Sequence, residues 1–111
     1  MKHVKKAHIA MKDAGNPNIG NIHYDLINDG HGEIESVTFN IQSGTIKDVG
    51  INGCQARDII EYALHLIESF NASFPCPENV CTIAHLEEAL KWQDARTKDR
   101  EKRGVEGKNL V

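Results

Sequence analysis

Three arginines near the C-terminus have the type and spacing for ligand chemistry. Arg96, Arg100 and Arg103 recur at i, i+4 and i+7, which on an α-helix places them within about 60° of arc. A guanidinium is a planar fork that stays charged, pairs two donors with phosphate oxygens and stacks on flat rings. Such a stripe could hold a phosphate or pyrophosphate. The competing reading is a solvated helix end, with pairs such as Arg96–Asp99 and Asp99–Arg103 worth a few tenths of a kcal/mol each. The net charge of −3 and the pI near 6.0 argue against a general DNA or RNA binder. They leave room for a local basic site.

Other reactive patterns are weaker. Cys76, Cys81 and His85 have the spacing C-x4-C-x3-H, whereas structural zinc sites show two tight pairs. A fourth ligand would have to come from Cys54 or another histidine. Three cysteines, an odd number, read as reduced thiols. Cys81 and His85 are one helical turn apart, but an activated thiolate needs a cationic setting that the sequence does not supply. His3, His8, His23, His31 and His65 form no triad pattern. The Gly50–Gly53 segment lacks the Lys-Ser/Thr of a phosphate-binding P-loop. Glu87 and Glu88 read as solvated mid-helix carboxylates. No catalytic residue, metal or cofactor is assigned, and a binding protein rather than an enzyme is expected.

The elements that must position the arginines follow from periodicity. The 111 residues suit one domain, and 40% hydrophobic residues allow a modest core. Residues 1–20 show no period and read as a loosely ordered arm, with at most one short strand. Residues 21–50 read as antiparallel strands. Ile22 to Ile27 is the first, and Asn28-Asp29-Gly30-His31-Gly32 suits a hairpin loop. Val37, Phe39 and Ile41 then alternate with Thr38, Asn40 and Gln42, the period of a half-buried strand. Ser43-Gly44 turns the chain, and Thr45 to Val49 is expected to return as a third strand.

Residues 54–104 read as a helical hairpin. Ala56, Ile59, Ile60, Ala63, Ile67 and Phe70 fall at helical spacing, with Arg57, Asp58, Glu61, His65 and Glu68 on the wet side. Pro77 and Glu78 suit the first turn of a second helix, which runs without a breaker to Gly104, about 40 Å. Residues 105–111 read as an extended tail. The expected fold is α+β: a small N-terminal antiparallel meander of about three strands, then an antiparallel two-helix hairpin with a long C-terminal helix.

That long helix has two faces. Ile83, Leu86 and Leu90 share the side expected to face the core. Cys81, His85 and Trp92 fall on the opposite side. Scattered surface exposure is normal for single residues, but a helix this long cannot be covered by a core this small, so Trp92, His85 and Cys81 are expected to pack against another copy of the chain. The arginines continue the Trp92 side. Phe70 and Asn79 lie at the hairpin turn, where a ring could stack on a base and an amide could read its edge. No run reaches the ~18 apolar residues of a membrane span, and the charged N-terminus lacks a signal-peptide core. A cytoplasmic protein is expected.

Two segments carry a family resemblance. One is Gly44-Thr-Ile-Lys-Asp-Val-Gly-Ile-Asn-Gly-Cys-Gln55. The other runs from Phe74-Pro-Cys-Pro-Glu-Asn79 through His85-Leu-Glu-Glu-Ala-Leu-Lys-Trp92 to Arg96-Thr-Lys-Asp-Arg-Glu-Lys-Arg-Gly-Val-Glu-Gly107. Together they resemble the first type of Thoeris anti-defence proteins of phages. The resemblance implies a sponge in the host bacterial cytoplasm. It would bind a cyclic ADP-ribose isomer made by TIR-domain proteins and leave it intact, so that the effector stays off. It also implies cyclic di- and trinucleotides as further ligands, and a homo-oligomer, a dimer or a hexamer built as a trimer of dimers. The family's ligand residues map onto Phe70, Asn79, Arg96 and Arg100, with Phe74 as the other candidate for the aromatic role. Arg103 is added from the helix-face argument. The alternatives are a hydrolase of such signals and a structural or protein-binding helical hairpin. Neither a membrane nor a long nucleic acid is an expected partner.

Overall fold

A computed structural model describes residues 3–28 and 30–111. Met1 and Lys2, read above as part of the arm, and Asp29, placed in the hairpin loop, lie outside the described residues. The elements are α1 (His3–Asp13), a 3-10 turn (Ile19–Asn21), β1 (Ile22–Asn28), β2 (Glu33–Phe39), α2 (Ile46–Val49), α3 (Ala56–Ser73) and α4 (Pro77–Lys102). Among the described residues no helix is long and apolar enough to cross a membrane.

β1 and β2 pair antiparallel, with Ile22 opposite Phe39, Tyr24 opposite Val37 and Ile27 opposite Ile34. Among the described residues the sheet has two strands, not the three expected. The missing strand is α2, one helical turn bracketed by Gly44 (φ +82) and Gly50 (φ +75). Thr45 closes that turn locally. Its carbonyl accepts from the Asp48 and Val49 amides, and its hydroxyl donates to the Asp48 carboxylate. The turn's own backbone bonds thereby stand where a strand ladder was expected.

Cys54 takes the place beside β2 as an isolated parallel bridge to Ile41. Its amide donates to Asn40 O at 2.6 Å, and its carbonyl accepts from the Gln42 amide at 2.9 Å. The loop between them is pinned by side chains. Gln42 Nε2 donates to Gly50 O at 2.9 Å, and its Oε1 accepts from the Asn52 amide at 3.0 Å. Asn52 exchanges reciprocal bonds of 2.9 and 2.8 Å with the Ser43 backbone.

Residues 3–13 form a helix where an arm was expected. Ala7 and Met11 are fully buried, and with Val4 they make a narrow stripe at i, i+3 and i+7. Three residues amid lysines and histidines are too sparse a pattern to read as a helix. With Ile22, Cys54 and Tyr62 they form the core, flanked by Ile19, Val37, Phe39 and Leu66. Tyr62 meets Phe39 edge-on at 5.5 Å. The core is therefore built from α1, the β-hairpin, Cys54 and α3, and among the described residues α4 adds nothing to it.

The side of α3 expected to be wet is partly buried. Asp58 is 0% exposed and Glu61 8%, because α1 and the turn after it cover that face. Burial is compensated by donors. Asn16 Nδ2 donates to Asp58 at 3.0 Å and to Glu61 at 3.1 Å, and Asn18 Nδ2 donates to Asp58 at 2.9 Å. Asp58 also accepts from the Gln55 amide at 2.7 Å, as half of the capping box that starts α3.

α4 runs as expected from Pro77 and stops before Gly104 (φ +72), a left-handed position that suits glycine. It lies antiparallel to α3. Arg57, at the start of α3, meets Asp94 at 3.0 Å near the far end of α4. Ile83, Leu86 and Leu90 are half-buried, whereas Cys81, His85 and Trp92 are exposed, Trp92 by 68%.

Candidate ligand-binding site

The last two turns of α4 project past α3, and the three arginines there have different surroundings. Arg96 is exposed and, among the described residues, makes no ion pair or side-chain hydrogen bond. Its fork is open. Arg100 is only 7% exposed. Its Nε donates to Glu106 at 3.2 Å, Nη1 to Leu110 O at 2.7 Å, and Nη2 to both Val105 O and Lys108 O at 2.9 Å. Four of its five donors are thus taken by the chain's own C-terminal segment, which folds back and is not extended. Arg103 is exposed and donates to Asp99 at 2.9 Å and to Val111 O at 2.8 Å. The helical phase brings the three onto one arc, but the three forks do not converge on one anion.

The tail also fixes this end to the rest of the molecule. The Lys47 amide in α2 donates to Gly107 O at 2.8 Å. Arg100, the tail and α2 therefore form one continuous clasp.

The hairpin turn carries the remaining expected residues. Phe70 is half-buried near the end of α3, and its ring centroid lies 4.2 Å from that of His3, with the planes tilted by 33°. Phe74 is 73% exposed. Asn79 is half-buried in the first turn of α4. Asn71 Oδ1 accepts from the Cys76 amide at 3.1 Å and holds the connection between the helices.

These two groups are far apart. At 1.5 Å per residue, Asn79 and Arg96 are separated by about 26 Å along α4. Two open grooves of about 420 Å³ each run along α4, one lined in part by Leu90 and Lys98, the other ending at Trp92. Neither is lined by Phe70, Asn79 or the arginines. His85 is occupied locally, with Nδ1 2.7 Å from Cys81 O. Within the chain, then, Trp92 and Arg96 stand one helical turn apart, Phe70 and Asn79 both lie at the hairpin-turn end, and most of α4 separates the two pairs.

The model of the Acb2/Tad1 hairpin domain matches residues 33–98, from the start of β2 almost to the end of α4. The chain belongs to this family. It is similar to Thoeris anti-defense 1 of Bacillus phage SBSphiJ7, with 36% identity over 110 residues, covering 90% of this chain and 76% of the relative. The span matched to the Acb2/Tad1 hairpin includes Phe70, Phe74, Asn79 and Arg96, and ends before Arg100 and Arg103. α1 lies outside it.

Around the hairpin sits a polar frame that sequence reasoning passed over. Arg57 bonds Asp94 at 3.0 Å and Glu61 at 2.9 Å, and approaches Asp58 at 3.5 Å. Burial works to lower its pKa, but the carboxylates of Asp94, Glu61 and Asp58 outweigh it, so the net shift is upward. One guanidinium thus ties the start of α3 to the arginine end of α4. Beneath it, burial, then the charge of Asp58, raises the pKa of the Cys54 thiol and keeps it neutral. The legible signal was the Gln55-x-x-Asp58 capping box. Nothing in the sequence places Asn16, Asn18 or His3 against α3.

Proposed function

We propose that this chain is a phage anti-defence sponge that sequesters a nucleotide-derived immune signal without cleaving it, so that the effector stays off. The 36% identity to Thoeris anti-defense 1 across 90% of the chain supports the anti-defence role. The ligand class proposed is a cyclic ADP-ribose isomer made by TIR-domain proteins, with cyclic di- and trinucleotides as further candidates. The observation that carries the ligand reading lies on one exposed face of α4. An uncommitted guanidinium, Arg96, stands one helical turn from an uncovered indole, Trp92. Both groups pair well with phosphate and flat rings.

A second copy completes the site. Phe70 and Asn79 belong to the base end, Arg96 and Arg100 to the phosphate end, and about 26 Å of helix separates them within one chain. An antiparallel pairing of two α4 helices about a two-fold axis closes that gap. For Asn79 of one copy to lie level with Arg96 of the other, the axis must cross α4 between Glu87 and Glu88. That register also sets Trp92 of each copy against the stretch holding Cys81 and His85 in the other. Asn79 itself shares the Ile83–Leu90 side of α4, so it is the hairpin turn, and not the Trp92 seam, that would carry the base end to the partner's arginine end. Arg100 would exchange tail carbonyls for phosphate oxygens, which make stronger, charge-assisted partners. None of Phe70, Phe74, Asn79, Arg96, Arg100 and Arg103 offers a general base at neutral pH, which favours holding a ligand over hydrolysing it.

The test is native mass spectrometry of the protein mixed with cyclic ADP-ribose isomers and cyclic oligonucleotides. An even subunit number is expected, with ligand bound to the oligomer and released unchanged on heating. Recovery of a cleaved product would establish a hydrolase instead. No binding from the whole panel would leave a structural or protein-binding hairpin.

A further inference from the structure

We infer that His3, at the start of α1, is a positioning residue for the base end of the ligand site. The inference rests on the reading that Phe70 stacks on the ligand's base. His3 touches two consecutive residues of α3. Its ring lies 4.2 Å from the Phe70 centroid, and its Nδ1 is 3.1 Å from Ser69 Oγ. The bond to Ser69 orients the imidazole, and the imidazole braces one side of the Phe70 ring.

The brace is itself firmly seated. Val4 O, one residue along, accepts from the Tyr62 hydroxyl at 2.8 Å. Ala7 and Met11 are fully buried in the core. Asn16, just beyond α1, is tied to Asp58 and Glu61. His3 therefore reaches Phe70 from a helix held at three further points. A half-buried phenyl near a helix end would otherwise sample several orientations, and binding would have to order it. Ordering a side chain at an interface lowers affinity, so a ring already held by a neighbouring imidazole binds a base better. α1 lies outside the matched hairpin, so the site in this chain extends beyond that domain.

The experiment uses the full chain with His3→Ala, His3→Phe and Ser69→Ala. Calorimetry reads the Kd for cyclic ADP-ribose isomers, and inorganic pyrophosphate serves as a competitor that senses the arginine end alone. His3→Ala is expected to weaken the cyclic isomer about three- to tenfold, the range of one aromatic pair. His3→Phe should restore binding to within about twofold, and Ser69→Ala should cost about twofold, the lower end of that range. The pyrophosphate competition constant should stay unchanged in all three. Unchanged affinity in His3→Ala overturns the inference, as does an equal loss for pyrophosphate, which would mark a general structural defect. Should His3→Ala not fold, His3→Phe decides: binding about tenfold weaker than the parent refutes the ring-bracing role. If the parent binds no cyclic isomer, the sponge reading fails and this inference fails with it; if the parent binds and the variants match it, only the inference falls.

Discussion

Replacing Arg100 with alanine should do something that replacing Arg96 does not. The Arg100 guanidinium is buried and bonded to Glu106, Leu110 O, Val105 O and Lys108 O at 2.7–3.2 Å. Bonds from a charged donor contribute roughly 1.5–3 kcal/mol each where the partner cannot be satisfied otherwise. Here the acceptors belong to a surface tail that water reaches once it lifts, so most of that gross value is recovered by solvation. A net loss of about 2–4 kcal/mol remains, or about 10–20 °C in melting temperature for a chain of this size. The defect should also be local. The Lys47 amide is held by Gly107 O in the tail, so its hydrogen exchange should accelerate in Arg100→Ala, while core amides such as that of Leu66 change only with global stability. Arg96→Ala removes a side chain without a protein partner among the described residues. It should leave the melting temperature within about two degrees of the parent and abolish capture of the cyclic nucleotide. Thermal denaturation by circular dichroism and exchange measured by NMR check both. If Arg100→Ala melts like the parent and Lys47 exchanges at the parental rate, the clasp does not operate in solution.

Other substitutions probe the frame. Asp58→Asn puts an amide where three donors converge, from Asn16, Asn18 and the Gln55 backbone; a loss of about 2–4 kcal/mol is expected in urea unfolding, and a parental midpoint would show the network to be dispensable. Gly53→Ala should prevent the chain from closing beside β2, because a Cβ there would lie 2.4 Å from Gln42 N and from the Ile41 carbonyl carbon; poor expression or early melting is the expected result. Burial, then the nearby Tyr24 and Glu35, pushes the Tyr62 hydroxyl up to about 12, against an ordinary tyrosine value of about 10. The folded state therefore favours the neutral phenol. Its contribution is complete below about pH 10 and is lost as pH rises toward 12, up to roughly 2–3 kcal/mol. Tyr62→Phe should lack that alkaline decline when urea midpoints are compared at pH 9 and 11.5.

The helical hairpin was legible in the sequence because its determinants are local. Pro77 opens α4, Gly104 closes it, and the apolar spacing of Ile83, Leu86 and Leu90 points it at α3. The exposure of Trp92 followed from the same phase, and the hairpin text carried the family resemblance that the match to residues 33–98 bears out. The β-hairpin was equally readable from alternation and its Gly-rich loop. Thr45 to Val49 misled because five residues of mixed polarity fit a strand or a single helical turn, and the turn stands between two glycines at positive φ.

Periodicity is written in the sequence, and with it the β1–β2 hairpin, α3, α4 and the apolar side of α4. What tertiary structure alone decided was the partner of each polar group. Asp58 and Glu61 read as solvated until Asn16, more than forty residues earlier, covers them. Arg100 read as the equal of Arg96 until the tail turns back and takes four of its donors. His3 had no assigned role until α1 packs it on Phe70, across a separation of 66 residues to its Ser69 partner. Helical phase is set by neighbours three and four residues away, so it is written in the chain. Hydrogen-bond satisfaction in a buried site depends on whichever distant segment folding brings there.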